Sequence, residues 1–185
     1  MKKAIFILIG LLVVLVGFNL PKVKQIMSDI LPDYLAGELA IAADTSIDRL
    51  VVFKHKRQMW AYRGEQLVKI YPIALGFNPI GHKQFEGDGK TPEGIYRINE
   101  RNPRSAYHKN LGVSYPNAQD TAYAQSQGKS PGGLIKIHGL PNGRGDIGKL
   151  HLLKDWTHGC IAVTNEEIDE LYRTVIHNAV IDIRP

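Results

Sequence analysis

Between Asp48 and Ile98 short runs rich in Val, Ile, Tyr and Trp alternate with turn residues such as Arg63-Gly64-Glu65 and Gly87-Asp88-Gly89. That rhythm predicts short β-strands. The clearest runs are Leu50-Val51-Val52-Phe53, Gln58-Met59-Trp60-Ala61-Tyr62 and the stretch from Val68 to Gly76. From Asn102 to Ser130 the periodicity weakens and polar residues and glycines accumulate, which predicts a long excursion over the surface. Loops of that length are usually functional or mobile. Tyr107, His108, Tyr115 and Tyr123 inside it are expected either to line a groove or to anchor the loop to the sheet. Leu134 to Ile137 reads as a strand ending at His138, and Ile161-Ala162-Val163 as a strand leaving Cys160. Thr164 followed by Glu167 spells a capping box, and Ile168, Leu171, Tyr172 and Val175 recur on one face of the helix it opens. Asn178 to Ile183 reads as a closing strand. The expected class is mainly β with a few helices.

A different pattern opens the chain. Lys2 and Lys3 precede an apolar run from Ala4 to Phe18, a basic segment followed by a hydrophobic one. With no small-x-small cleavage site in Asn19-Leu20-Pro21-Lys22, residues 1–20 are expected to form an uncleaved anchor helix, its amino end inside. A cleaved, secreted form is the competing expectation. Val23, Ile26, Met27, Ile30 and Leu31 follow at helical spacing until Pro32, so residues 21–46 read as a juxtamembrane linker. Its apolar face suits packing on the domain or on the membrane surface equally well. Residues 47–185 are then one catalytic domain, placed outside the cytoplasmic membrane. The length beyond the anchor suffices for one compact core.

Charge adds little. A formal +5 suits an anionic envelope and is also ordinary surface solvation, while no arginine-rich run points to nucleic acid. Cysteine changes the picture, because the chain has one and therefore no intrachain disulfide. It lies in Thr157-His158-Gly159-Cys160, downstream of His138-Gly139. A thiol attacks carbonyls as its thiolate, and with a free pKa of about 8.5 it profits from an imidazole that accepts its proton. His138 is the first candidate base and His158 the second, since residues two apart in an extended segment share a face. His151 is expected to be exposed or structural. His138, His151, His158 and Cys160 also total four zinc donors, but only His158 and Cys160 are close, and structural zinc sites prefer close pairs.

The histidine followed, after a loop, by Thr-His-Gly-Cys resembles the signature of the YkuD-type L,D-transpeptidases. Leu50–Phe53, Gln58–Tyr62, Val68–Gly76 and Lys90-Thr91-Pro92-Glu93-Gly94-Ile95-Tyr96 look like that domain's opening strands and its Thr-Pro-x-Gly turn. Gly159-Cys160-Ile161-Ala162-Val163-Thr164-Asn165 is similar to a branch with Ala-hydrophobic-Thr-Asn after the nucleophile, some of whose members are similar to hydrolases. The resemblance implies a β-sandwich or barrel, with Cys160 as nucleophile, His138 as base oriented by the Gly139 carbonyl, and Thr157, His158 and Gly159 shaping the pocket and oxyanion site. It implies no cofactor. Its implied partner is peptidoglycan, whose tetrapeptide stems would be acylated onto Cys160 as a thioester. A hydrolase using the same residues is the alternative, and a non-catalytic wall-binding domain a remote one. Two departures stand out: Ala162 replaces the usual Asn or Arg, and the stretch from Gly139 to Trp156 is longer than usual.

Overall fold

The computed structural model describes residues 41, 42 and 44–185. The expected anchor and nearly all of the linker lie outside the described residues, and among the described residues no helix is long and apolar enough to cross a membrane.

Eight strands form one curled sheet: β1 (Ile47–Phe53), β2 (Gln58–Arg63), β3 (Gln66–Pro72), β4 (Gly94–Ser105), β5 (His108–Val113), β6 (Lys136–His138), β7 (Ile161–Ala162) and β8 (Val175–Arg184). Their order is β3-β2-β1-β8-β4-β5-β6-β7. β4 joins two halves: Gly94 to Arg97 pair with β8, whereas Ile98 to Ser105 pair with β5 across two register shifts. Such irregularities bend a strand and increase its twist. Beyond β3, Ala74 bridges Ala162 and Gly76 bridges Thr157, so the far edge of the sheet meets the continuation of the first. The sheet thereby closes on a core that includes Leu50, Met59, Tyr71, Ile98, Leu111, Ile137, Ile161, Ile168 and Ile181. Burying each such side chain contributes about 1.5–3 kcal/mol.

Among the described residues two α-helices accompany the sheet, α1 (Ala118–Ser126) and α2 (Asn165–Thr174). Thr164 and Glu167 form the expected capping box at α2, and Ile168 and Leu171 are buried. Val175, however, is the first residue of β8, opposite Ile47 of β1, because the helix ends at Thr174. Glu170 ties α2 to β3 from within: its carboxylate receives Lys69 Nζ at 2.6 Å and the Tyr71 hydroxyl at 2.7 Å. The Ile41 N–H meets its other oxygen.

The expected excursion from Asn102 to Ser130 is instead ordered structure. Its first part completes β4 and turns tightly at Ala106-Tyr107 into β5, and its later part is α1. The pattern missed both because neither has a regular apolar face. The hairpin is bulged, and α1 buries only Asp120 and Ala124. Local hydrogen bonds define α1 instead: the Asn117 side chain caps it, and Asp120 returns a bond to the Asn117 N–H. Tyr115 is an anchor, buried with its hydroxyl donating to the Pro131 carbonyl. Tyr123 is exposed and stacks on Phe85. The strand before His138 begins later than expected, since Leu134 takes φ 58° and is exposed.

Candidate active site

β6 and β7 run parallel, with Ile137 opposite Ile161 and His138 opposite Ala162. Ile137 and Ile161 are fully buried, and strand alternation turns the flanking residues, Lys136 and His138 on one strand and Cys160 before the other, to the opposite side. The register thus places His138 opposite Ala162, two residues past Cys160, so that imidazole and thiol are carried by the same strand pair.

The turn that presents the thiol is built by Thr157. Its hydroxyl donates to the Cys160 carbonyl at 2.8 Å and accepts the Gly159 N–H at 3.1 Å. Gly159 adopts φ +123°, and a Cβ there would lie 2.5 Å from the Lys90 carbonyl oxygen. Only glycine satisfies both conditions. The opposing loop is pinned from several directions. Buried Lys54 donates to the carbonyls of Gly81 and Thr91 and to Glu93, and the Thr91 hydroxyl accepts the Gly76 N–H. Asp155, just before the turn, accepts the Leu75 N–H and pairs with Arg57.

His138 is 5 % exposed, and its Nδ1 meets the Gly139 carbonyl at 2.7 Å. With Nδ1 donating there, Nε2 is the nitrogen that remains basic. Tyr107 and Trp156 wall the ring, at centroid distances of 4.7 and 5.6 Å. Gly139 is crowded as well, since a Cβ would lie 2.7 Å from Asn165 Oδ1, the acceptor of the Leu140 N–H. Asn165, the first residue of α2, therefore steers the loop that leaves His138.

Burial pushes the Cys160 thiol above its ordinary value, only partly opposed by the Lys136 N–H and by the charges of Lys136 and Lys83. Burial likewise holds His138 below the ordinary imidazole value, against the hydrogen bond to Gly139. Both shifts favour the neutral thiol and the neutral imidazole over an ion pair. The sulfur is partly exposed and lies 3.7 Å from the Leu134 carbonyl oxygen.

Of the candidate residues, Thr157, Gly159 and Cys160 share one turn, with His138 and Gly139 on the neighbouring strand. The turn is not extended at Gly159, so the expected shared face is lost, and His158 is exposed with its ring edge-on to Phe77 at 5.5 Å. His151 is not exposed; it is buried in the 3-10 segment Gly145–Leu153. His108 bonds Asp169 of α2. Among the described residues no three His, Cys, Asp or Glu side chains form a group able to hold a metal. The four nominal zinc donors thus do not converge. Sequence reasoning overlooked Lys83, Lys136, Trp156 and Asn165. Asn165 stood in the segment after the cysteine, but nothing in the sequence signalled its reach to Gly139.

This arrangement has known counterparts. The L,D-transpeptidase catalytic domain described for YkuD matches residues 47–183. The chain belongs to that family. YafK of Escherichia coli K12, whose own assignment as an L,D-transpeptidase is provisional, is 34% identical over 130 residues, covering 67% of this chain and 45% of YafK. Among solved structures, the helical cell shape determining protein Pgp2 from Campylobacter jejuni is similar with a TM-score of 0.57 and 26% identity, over 87% of this chain and 55% of Pgp2. Bd1075 from Bdellovibrio bacteriovorus is similar with a TM-score of 0.51 and 26% identity, over 80% of this chain and 51% of Bd1075. The chain thus spans about half the length of the relatives it matches.

Proposed function

We propose that this protein is a cysteine-dependent L,D-transpeptidase acting on peptidoglycan tetrapeptide stems. The observation that carries the reading is a thiol turn locked by Thr157 next to β7, with a buried histidine on the paired strand β6 whose Nδ1 is committed to the Gly139 carbonyl. That commitment leaves Nε2 of His138 to take the Cys160 proton as the sulfur attacks the carbonyl after the L-centre of diaminopimelate. A neutral starting pair means the proton moves during attack rather than before it. The Gly159 N–H already serves Thr157, so the Cys160 N–H is assigned as the oxyanion donor. His138 then returns its proton to the departing D-alanine, and a thioester remains on Cys160.

An amine from a neighbouring stem resolves the thioester to a 3-3 crosslink; water resolves it to a shortened stem. The cell-shape designation of Pgp2 supports action on the wall, and the apolar run of residues 4–18 supports anchoring in the cytoplasmic membrane with the catalytic domain in the cell envelope. The Ala-x-Thr-Asn sequence after Gly159-Cys160-Ile161 supports membership of the branch that contains hydrolases.

The test is mass spectrometry of muropeptides from sacculi incubated with the protein, beside a Cys160→Ala control. Cysteine-dependent 3-3 dimers are expected. Cysteine-dependent stem shortening without dimers would replace transpeptidation by hydrolysis, and no difference from the control would reject the peptidoglycan reading.

A further inference from the structure

Behind His138 lies a polar cluster that the acylation scheme does not use. Trp156 stands 5.6 Å from the His138 ring, and His151 stands 6.5 Å from Trp156 with the two planes at 89°. His151 is 7 % exposed, yet among the described residues neither of its ring nitrogens has a hydrogen-bond partner, and neither has the buried Nε1 of Trp156. Buried polar groups are nearly always paired with protein or with ordered water. Trp156 Nε1 and one nitrogen of His151 can share a partner, whereas the other His151 nitrogen points away across the ring and needs one of its own.

The chemistry of the three atoms narrows what that partner is. Indole supplies one donor, and a neutral imidazole one donor and one acceptor. His151 is neutral here, because burial first and the neighbouring His138 second push it down to about 4. A pair of neutral rings offers dipoles rather than net positive charge, which suits a neutral oxygen better than a carboxylate, whose burial without a cation is costly. Water both donates and accepts and needs two to four polar partners.

We propose that Trp156 and His151 hold a water molecule beside His138, and that this water is an acyl acceptor for the Cys160 thioester. The two rings thereby set the partition between hydrolysis and aminolysis. The proposal rests on the reading of Cys160 as nucleophile. In the step, the water oxygen bonds to the acyl carbon and the carbon–sulfur bond breaks. A water proton passes to His138 Nε2 and on to the departing sulfur, leaving a carboxylic acid and a free thiol. His151 and Trp156 act as positioning residues.

The experiment gives the full-length protein a disaccharide-tetrapeptide donor and a D-amino acid as competing amine, and measures shortened stem against exchanged stem by mass spectrometry in ¹⁸O-labelled water. Both products descend from one acyl-enzyme, so their ratio is insensitive to how fast that intermediate forms. Trp156→Phe, which keeps a ring and removes the N–H, and His151→Phe are each expected to lower the hydrolysis-to-exchange ratio about tenfold, the scale of one lost hydrogen bond. His151→Gln, which restores a donor and an acceptor, is expected to recover most of it. If Trp156→Phe does not fold, the contrast between His151→Phe and His151→Gln carries the test. An unchanged ratio would overturn the proposal, as would a raised KM for the donor at constant ratio, which would assign the nitrogens to substrate. No cysteine-dependent product from the wild-type protein would reject the acyl-enzyme reading itself, and the water site with it.

Discussion

In β1, Leu50, Val51 and Val52 are buried in succession, with β2 antiparallel on one side and β8 parallel on the other. β6 and β7, which carry the site, are only three and two residues long. Consecutive apolar residues between two long partners stabilise β1. The short strands depend instead on side-chain hydrogen bonds from Thr157 and Asn165, on glycines under close approach, and on a loop held from Lys54 and Asp155. The scaffold half buries mainly apolar surface, with Lys69 paired to Glu170 inside it, while the half with the candidate site buries His138, His151 and Thr157 among its walls. Polar burial has less margin for error, because each unmet group costs about 1–3 kcal/mol. That cost makes the half with the candidate site the more sensitive to the loss of single polar side chains.

Substitutions in the two halves should separate accordingly. Leu50→Ala in the scaffold is expected to cost about 2–5 kcal/mol in a denaturant titration, while the rate per folded molecule stays near wild type. A comparable loss of rate in the folded fraction would mean that the scaffold reaches the site after all. The glycines offer a paired test. Gly159→Ala meets both a positive φ and the Lys90 carbonyl, and should cost about 3 kcal/mol together with most of the activity. Gly64→Ala, in the β2–β3 turn at φ +56° with nothing within 4 Å of the added methyl, should cost only about 1 kcal/mol and leave activity intact. Equal penalties would show that conformation alone, without the close approach, governs the turn at Gly159.

Thr157→Val keeps the shape and removes the hydroxyl, stranding the Gly159 N–H and the Cys160 carbonyl. We expect a loss of about 1–3 kcal/mol, with kcat falling further than KM rises. Acid should expose the buried imidazoles. The folded pKa of His151 lies at about 4, against an ordinary value of 6.5, so only the unfolded chain takes up this proton between them. Stability from this group is therefore complete above the ordinary value and lost as pH falls toward 4, with a limiting slope of about 1.4 kcal/mol per pH unit. His151→Phe should flatten that part of the stability–pH curve, and an unaltered slope would place the acid sensitivity elsewhere.

The smallest effect concerns the thiol. With its folded pKa raised, little thiolate exists at neutral pH, and alkylation by iodoacetamide should keep accelerating as pH rises beyond the ordinary thiol value. Lys136→Met should slow the reaction severalfold at neutral pH, because it removes a charge that favours the thiolate. A reactive plateau near pH 7 would point to a thiolate–imidazolium pair instead.

Elements whose stability is local were readable along the chain. The strands β1 to β3 follow from their apolar runs and turns, and α2 from Thr164, Glu167 and the buried spacing of Ile168 and Leu171. α1 and the β4–β5 hairpin were not, because a capping box and a bulged register leave little trace in hydropathy. Among the site residues, Thr157, Gly159 and Cys160 are sequence neighbours, and their turn is a local structure. His158 belongs to the same tetrad and still faces Phe77, because the positive φ at Gly159 breaks the alternation on which its expected position depended.

What the sequence determined by itself is the set of reactive groups: a single thiol, its flanking glycine and hydroxyl, and a histidine at the end of an apolar run. Only the tertiary structure decided which groups meet and how they are charged. The parallel pairing of β6 with β7 aligns residues 24 positions apart, setting Ala162 beside His138 and bringing the Lys136 N–H to the Cys160 thiol. Burial then raises the thiol, lowers the imidazoles of His138 and His151 and leaves the nitrogens of His151 and Trp156 without partners among the described residues. The reason is physical: local geometry depends on neighbours a few bonds away, whereas register and desolvation depend on atoms that adjoin only once the sheet has closed.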